Sequence, residues 1–331
     1  MSTPYLTIAI PTYNRINQLR NTLSKLLPQL TDRCYLLILD NCSEVPVEEA
    51  VCDLIGNLNN YKIIRNRVNI GGDPNIFKCF ELCNTGWLWT LSDDDEVESN
   101  SIMTIFNTIE RFTDALNINF YSPCELHKQR TSTLLFYGRK GLIDSIDTWG
   151  ASIFISSNVY NMKLMKSYYE SNTGVYSRAS QWLMLFYNAE DNYIVRSCDV
   201  IVKNVYTSSK YTSVNLSVVN GFISILDMPL DKKMRKDLTK KILTIDDGWI
   251  SFQSLIKLLL IEYKRDSNNN DFIYHMRNYY YRLYRYGKVK NRIYYYIFLV
   301  LMNISPNASF VFLRKVMLLL GKKDIFEYTK V

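Results

Sequence analysis

The stretch WLWTLSDDDEVESNS, residues 87–101, places three consecutive aspartates directly after an apolar run. The tryptophans, leucines and threonine at its start are typical of a buried strand, which is predicted over residues 87–95. Neighbouring carboxylates repel one another, so a cluster of this kind costs stability unless a cation neutralises it. The stretch therefore predicts a divalent metal site at the end of a buried strand.

Upstream of this stretch, apolar runs alternate with helical patterns. Between the predicted strands, apolar residues recur at three- and four-residue spacing, as they do on the buried face of a helix. Strands separated by helices of this length form βαβ units, so the sequence predicts an α/β fold with a mainly parallel sheet flanked by helices. The other predicted strands are residues 6–10, 34–40 and 61–66, and the predicted helices are residues 16–30, 45–58 and 75–86.

Polar residues follow three of the predicted strands. They are PTYNR at residues 11–15, Asp40 with Asn41, and the acidic cluster at residues 92–95. Parallel strands share one direction, so these three groups are expected to meet at one edge of the sheet. Ligands of such sheets bind outside the carboxyl ends of the strands, and a nucleotide with its metal suits that edge.

The composition is that of an ordinary globular protein. The chain has 331 residues, 47% apolar and 21% charged, which is long enough for a catalytic domain with an appendage. Seven cysteines without CxxC spacing predict reduced thiols rather than a disulfide scaffold, and two histidines argue against a zinc site. The first ten residues contain no basic region and predict no secretory signal.

A basic, tyrosine-rich tail carries the excess positive charge. The net charge is +7, and residues 271–331 hold eleven Lys and Arg against three Asp and Glu. A helical pattern begins near residue 232, so we predict a catalytic domain over residues 1–225 and a helical region over residues 226–331. The apolar run at residues 293–304 is too short to span a bilayer.

Two interpretations of the tail remain open. Tyrosines beside basic residues suit peripheral contact with anionic headgroups, which for a cytoplasmic protein means the inner face of the cell membrane. Alternatively, the tail packs on the catalytic domain or forms a homodimer interface. No nucleic-acid partner is expected, because no RNA- or DNA-binding module accompanies the basic residues.

Four segments resemble, in this order and at these intervals, the nucleotide-sugar-binding half of family 2 glycosyltransferases of the GT-A fold. They are IAIPTYNR, LILDNCSE, NIGGDPN and LSDDDE. The resemblance covers residues 5–110 closely and residues 145–205 loosely. NIGGDPNIF and the later ISSNVYN are similar to bacterial O-antigen and capsule transferases, including abequosyltransferase-like enzymes. The resemblance implies transfer of a sugar from a nucleoside diphosphate to a hydroxyl of a lipid-linked oligosaccharide during surface polysaccharide synthesis.

The resemblance also implies a set of donor-binding residues. Asp40 matches the family aspartate that hydrogen-bonds a pyrimidine base, although a turn-forming or helix-capping aspartate is the alternative. Pro11, Thr12 and Tyr13 match the loop that encloses the base, and Tyr13 can pack its ring against it. Arg15 could neutralise a phosphate, while an exposed arginine at a helix start is the other interpretation.

The loop NIGGDPN, between the third strand and the following helix, supplies further donor contacts. Gly71 and Gly72 allow close approach of the backbone to a ligand, although a Gly-Gly pair by itself is only a turn. Asn69, Asp73 and Asn75 are expected to contact the ribose or the sugar.

The three aspartates match the DxD element of the family, in which one carboxylate contacts the ribose and another holds the metal between the two phosphates. Asp93 is predicted to contact the donor, with Asp94 as the main metal ligand and Asp95 in support. Mg²⁺ or Mn²⁺ prefers such oxygen ligands and stabilises the leaving nucleoside diphosphate. An acidic N-terminus for the following helix is the alternative interpretation.

The general base expected of inverting members is missing from the segment GVYSRASQWLMLFY, residues 174–187. Asp147 is the chosen candidate, with Glu170, Glu190 and Asp191 as the others, and a loop carboxylate is the alternative role for Asp147. Two other functions remain open. A nucleotidyltransferase also uses acidic metal ligands on a βαβ sheet, but PTYNRINQ lacks the glycines of its phosphate loop. A catalytically inactive nucleotide-sugar-binding protein needs no base.

Overall fold

The computed structural model describes residues 5–56, 58–123, 129–147, 149–165, 179–203, 230–244 and 289–319. The chain divides into two units, Met1–Thr207 and Ser208–Val331. The predicted boundary between residues 225 and 226 lies outside the described residues.

The first unit contains the strands. Within its described residues they are β1 (Leu6–Thr12), β2 (Cys34–Asp40), β3 (Tyr61–Arg65), β4 (Trp87–Thr90), β5 (Glu96–Val97), β6 (Ala115–Tyr121), β7 (Leu134–Tyr137), β8 (Asn158–Asn161), β9 (Tyr193–Val200) and β10 (Val202–Lys203). Helices connect many of them. They are α1 (Ile16–Leu26), α2 (Val47–Ile55), α3 (Gly72–Leu82), α4 (Ser101–Arg111), α5 (Gly138–Asp144), α6 (Trp149–Ile153) and α7 (Ala179–Asn188), with 3₁₀ turns at Leu27–Gln29 and Ile155–Ser157.

Eight of the strands form one sheet, in the order β3-β2-β1-β4-β8-β6-β9-β7. The first four of these are mutually parallel, and β6 is parallel to β9. In contrast, β8 is antiparallel to β4 and β6, and β7 is antiparallel to β9. A separate short pair joins β5 to β10. The mainly parallel sheet with flanking helices that the sequence predicts is therefore confirmed, with antiparallel strands confined to its second half.

The parallel half of the sheet is apolar and buried along its strands. Nearly every residue of β1 and β2 is buried, which is typical of parallel strands covered on both faces. The amphipathic helix α1 adds Leu19, Leu23 and Leu26 to the same core, all fully buried. Such strands offer polar groups to a ligand mainly where they end.

Three strand ends differ from the sequence prediction. The strand β3 ends at Arg65, one residue before its predicted end. Thr12, not Ile10, ends β1, because β1 continues to pair with β2 up to the Thr12–Asp40 position. Pairing with β4 stops at Ala9, so Pro11, which has no backbone N–H, lies beyond that ladder. The strand β4 ends at Thr90, so the aspartates belong to the turn that follows it rather than to the strand itself.

Helices account for the described residues of the second unit. They are α8 (Lys232–Thr244), α9 (Val289–Ile304) and α10 (Pro306–Leu319). Pro306 begins α10, a position where the missing N–H is not needed, and the Ser309 hydroxyl donates to the Leu301 carbonyl of α9 at 2.6 Å. The helical pattern predicted from residue 232 is confirmed at these positions. Among the described helices, none combines the length and the apolar character required to cross a membrane.

We predict that Ile38→Ala lowers the free energy of unfolding by about 2–5 kcal/mol, because the truncation leaves a cavity in a fully buried strand of the sheet. Urea unfolding followed by circular dichroism measures the change. The control Val68→Ala removes the same kind of carbon atoms from a side chain that is 63% exposed, and should stay within about 0.5 kcal/mol. Equal losses of unfolding free energy for the two substitutions would contradict the assignment of Ile38 to the buried core.

Candidate active site

A pocket of about 300 Å³ lies at the carboxyl ends of β1, β2 and β4. The order of the sheet makes these strands neighbours, so their polar ends meet as the sequence predicts. The predicted residues that line the pocket are Pro11, Thr12, Tyr13, Arg15, Asn69, Gly71, Asn75 and Asp93. Gly72 of the predicted loop and Asn41 and Ser92 of the predicted strand-end groups also line it, as do Ile76 and Ile155, which the sequence did not indicate. Asp40, Asp73, Asp94, Asp95 and Asp147 do not line it.

The three aspartates after β4 point to different partners. Asp93 is buried and accepts a hydrogen bond from the Thr12 hydroxyl at 2.6 Å. Asp94 is more exposed and accepts one from the Ser92 hydroxyl at 2.6 Å. Asp95 is buried and accepts one from Ser156 at 2.5 Å. Asp95 does not line the pocket, although its charge acts on Arg15 together with those of Asp93 and Asp94.

Arg15 holds the pair formed by Asp93 and Asp94. A single guanidinium nitrogen, Nη1, lies 3.1 Å from Asp93 Oδ1 and 2.8 Å from Asp94 Oδ2. Burial opposes the charge of Arg15, but the attraction of the two aspartates outweighs it and raises the pKa of the guanidinium above its ordinary value. The cation that the acidic stretch requires is thus supplied, in this structure, by the chain itself.

Burial also governs Asp93. It raises the pKa of the Asp93 carboxyl above its ordinary value, although the hydrogen bond from Thr12 and the charge of Arg15 oppose the shift. The Asp93 carboxylate therefore lies in the pocket at a position where burial opposes its negative charge and a nearby cation favours it.

The two carboxylates supply only part of the coordination of a divalent metal. Among the described residues, no group of three or more His, Cys, Asp or Glu side chains is arranged to hold an ion. Mg²⁺, however, is commonly held by one or two carboxylates together with the phosphates of a substrate. Asp93 and Asp94 are the residues that would hold such an ion, and the remaining ligands would come from the diphosphate and water.

Asp40 is buried next to Asn41 and does not line the pocket. Its carboxylate accepts hydrogen bonds from the Ser43 backbone N–H at 2.8 Å and from Arg65 at 2.6 Å, and the N–H of Val47 at the start of α2 lies 3.4 Å away. Burial favours the neutral acid, but these donors outweigh it and hold the pKa of Asp40 below its ordinary value. Contact between Asp40 and a base stays a prediction, and the structure shows the turn-forming arrangement that was one of its alternatives.

Asn41, which sequence reasoning did not assign, takes the position facing the pocket. Its amide donates to Asn69 Oδ1 at 2.8 Å and to the Gly71 carbonyl at 3.1 Å, and its oxygen accepts from Asn66 and from the Ile70 N–H. The signal in the sequence was its place directly after Asp40 at a strand end. Asn41 therefore fixes the loop that forms one wall of the pocket.

The same loop places the remaining predicted residues. Asn75 is buried, donates to the Leu39 carbonyl at 3.0 Å and accepts from Asn66 at 2.8 Å. Gly71 has a φ of 91°, a left-handed conformation that favours glycine, and it precedes α3. Asp73 lies in the first turn of α3, where a negative charge stabilises the helix.

Asp147 lies among arginines. Its Oδ2 is 3.4 Å from Arg130 Nε and its Oδ1 is 3.8 Å from Arg196 Nη2. Burial, reinforced by repulsion from Arg130, lowers the pKa of Arg196 to about 9. Asp147 thus acts as a counterion for two buried guanidinium groups, and its role as general base stays a prediction. Glu190 pairs with Arg139 at 3.0 Å, and Glu170 lies outside the described residues.

Residues 7–169 match the family model for glycosyl transferase family 2, a range that contains every residue lining the pocket. A comparison with curated proteins found no match. Among solved structures, the chain is similar to S. aureus TarS 1-349, with 12% identity and a TM-score of 0.55 over 91% of this chain and 92% of that chain. TarS 1-349 has also been solved in complex with UDP and with UDP-GlcNAc.

The chain is also similar to the mannosyltransferase PcManGT from Pyrobaculum calidifontis, solved in complex with GDP-Man and Mn²⁺. Identity is 10% and the TM-score is 0.52, over 98% of this chain and 89% of that chain. At these identities the likeness shows the fold, and the GT-A fold expected from the sequence is confirmed. The family match and the fold together support a glycosyltransferase.

We predict that Asp40→Asn lowers the free energy of unfolding by about 2 kcal/mol at neutral pH, because a buried carboxylate loses its charge-assisted hydrogen bonds. The folded-state pKa of Asp40 is depressed, so its stabilisation is present above the unfolded-state value of about 3.9 and is lost as the pH falls through the lower folded value. The difference between wild type and variant should therefore shrink below about pH 4.

Urea unfolding of both proteins at several pH values measures that difference. The matched control is Asp53→Asn, which breaks an exposed ion pair with Arg20 and should have a much smaller effect. A difference for Asp40→Asn that does not change with pH would contradict the assignment.

Proposed function

We propose that the pocket binds a nucleoside diphosphate sugar and that the protein transfers the sugar to a hydroxyl of an acceptor. The observation that carries the proposal is the convergence of Thr12, Asn41 and Asp93 from three neighbouring strand ends on one pocket inside the matched region. Three complexes of the structural neighbours support it, since they contain UDP, UDP-GlcNAc and GDP-Man.

The donor is proposed to lie along the pocket with its base at Tyr13 and Asn69. Tyr13 is 42% exposed and offers its ring for stacking, and the Asn69 amide nitrogen can donate to a carbonyl of a pyrimidine. The diphosphate then faces Arg15 and the pair Asp93–Asp94. A bound Mg²⁺ or Mn²⁺ would stabilise the negative charge that develops on the departing nucleoside diphosphate.

The chain's own residues have separate tasks in this scheme. Thr12 fixes Asp93 through its hydroxyl, Arg15 supplies positive charge beside the phosphates, and Asn41 holds the loop wall against the donor. Asp147 is the proposed base.

The acceptor is proposed to be a lipid-linked oligosaccharide of O-antigen or capsule type, with the enzyme on the inner face of the cell membrane. One face of α9 supports this proposal, because apolar side chains at spacings of three and four residues are all exposed on it. Arg292 on α9 and Arg314 with Lys315 on α10 are exposed as well and suit anionic headgroups. The apolar residues of the face are Val289, Ile293, Ile297, Val300 and Ile304.

The donor proposal predicts metal-dependent stabilisation by a nucleotide sugar. A ligand that binds only the folded protein raises its melting temperature, so a thermal-shift screen against UDP-, dTDP-, CDP- and GDP-sugars with and without Mn²⁺ should yield one pyrimidine donor that acts best with metal. Asp94→Asn should remove the metal-dependent part of the shift. Asp114→Asn, an aspartate outside the pocket, is the control. No shift with any nucleotide sugar would contradict the proposed function.

The membrane proposal predicts that the double change Ile293→Asp and Ile297→Asp reduces binding to anionic liposomes at least about fivefold, because it places charge on the apolar face of α9. Co-sedimentation with phosphatidylglycerol vesicles measures binding. Met103→Asp alters an apolar side chain of α4 that is equally exposed, at 60%, and should leave binding unchanged. Equal binding by the double variant and the wild type would remove the support for membrane contact.

A further inference from the structure

One nitrogen of Arg15 occupies the point between the two carboxylates that a bridging metal ion would need. We infer that Arg15 is a built-in counterion that excludes the divalent cation from Asp93 and Asp94 until the diphosphate of a donor draws the guanidinium away. The inference rests on the proposed function for the identity of that diphosphate. It makes metal binding conditional on donor binding.

One guanidinium nitrogen of Arg15 contacts both carboxylates. Arg15 Nη1 lies 3.1 Å from Asp93 Oδ1 and 2.8 Å from Asp94 Oδ2, so it sits between the two oxygens. A Mg²⁺ ion needs its oxygen ligands at about 2.0–2.1 Å, and no ion fits between the same two oxygens while the nitrogen remains. Charge acts in the same direction, because a guanidinium repels a divalent cation at this distance.

The rest of the guanidinium is free to take a phosphate. Arg15 lines the pocket and its side chain is 37% exposed. Among the described residues, hydrogen bonds reach only its Nη1, which leaves the donors on Nε and Nη2 for a ligand. A planar guanidinium binds phosphate oxygens through paired donors. Arg15 can therefore exchange carboxylates for phosphate by rotating about its own side-chain bonds.

The exchange leaves the carboxylates in need of a cation. Asp93 is buried, and Asp94 shares the same nitrogen of Arg15 with it, so two carboxylates lose their common cation together. Once Arg15 moves to the diphosphate, Asp93 and Asp94 would hold a metal ion, and its charge would offset the repulsion between the carboxylates and the phosphates. Donor and metal thus bind cooperatively, and Arg15 carries part of the coupling between them.

Mn²⁺ binding without any nucleotide tests the inference directly. Electron paramagnetic resonance of free Mn²⁺ gives the affinity at pH 7.5 for the full-length wild type and for Arg15→Gln and Arg15→Met, two neutral variants that guard against a folding failure in either. Both neutral variants should bind Mn²⁺ about tenfold more tightly than wild type, because a unit charge and a steric block are removed. Arg15→Lys, which retains the charge, should bind more weakly than either neutral variant.

Arg20→Gln is the matched control. Arg20 lies on α1, the helix that begins directly after Arg15, and pairs with Asp53 instead of the pocket aspartates, so its removal should not change Mn²⁺ affinity. Addition of UDP should raise Mn²⁺ affinity by a larger factor in the wild type than in Arg15→Gln, since the neutral variant has no counterion to displace.

Two results would overturn the inference. One is Mn²⁺ affinity without nucleotide that is the same in wild type and in both neutral variants, and the other is no Mn²⁺ binding to either neutral variant. Neither result depends on the donor. Failure of the proposed function is measured separately, as the absence of any thermal stabilisation of the wild-type protein by a nucleotide sugar, so the two failures can be distinguished.

Discussion

The need to neutralise two carboxylates at the end of β4 governs the arrangement of the whole site. Asp93 is buried against Thr12, and Asp94 lies beside it, so their charges persist only with a cation between them. The sheet meets this need through its order, because β1 lies next to β4 and brings Arg15 across from the turn after its last residue. The apolar strands make the platform rigid, and the polar chemistry is confined to the three turns that follow them.

Each turn combines a supporting residue with one that faces the pocket. After β2, Asp40 accepts hydrogen bonds from the Ser43 N–H and from Arg65, while Asn41 lies at the pocket wall. After β4, Asp95 is tied to Ser156 while Asp93 and Asp94 meet Arg15. In both turns, the supporting residue fixes the backbone, so the residue beside it is held with little freedom. Such preorganisation is what a site for a flexible diphosphate requires.

The sequence predicts the parallel half of the sheet because its strands are long apolar runs separated by helical patterns, and the strand ends follow from that. It does not predict which neighbour in a polar pair faces the ligand. That choice depends on backbone conformation, as at Cys42, whose φ of 66° turns the chain so that the Ser43 N–H reaches Asp40. Two other features arise from tertiary contacts and leave no local pattern in the sequence. One is the ion pair of Arg15 with Asp93, 78 positions apart, and the other is the antiparallel insertion of the short strand β8.

The most direct measurement of the central claim is a crystal structure of the protein with UDP and Mn²⁺. We predict the uracil between Tyr13 and Asn69, the diphosphate beside Arg15, and Mn²⁺ bound by Asp93 or Asp94 together with phosphate oxygens. A nucleotide bound elsewhere on the protein, with Arg15 still between the two aspartates, would contradict it.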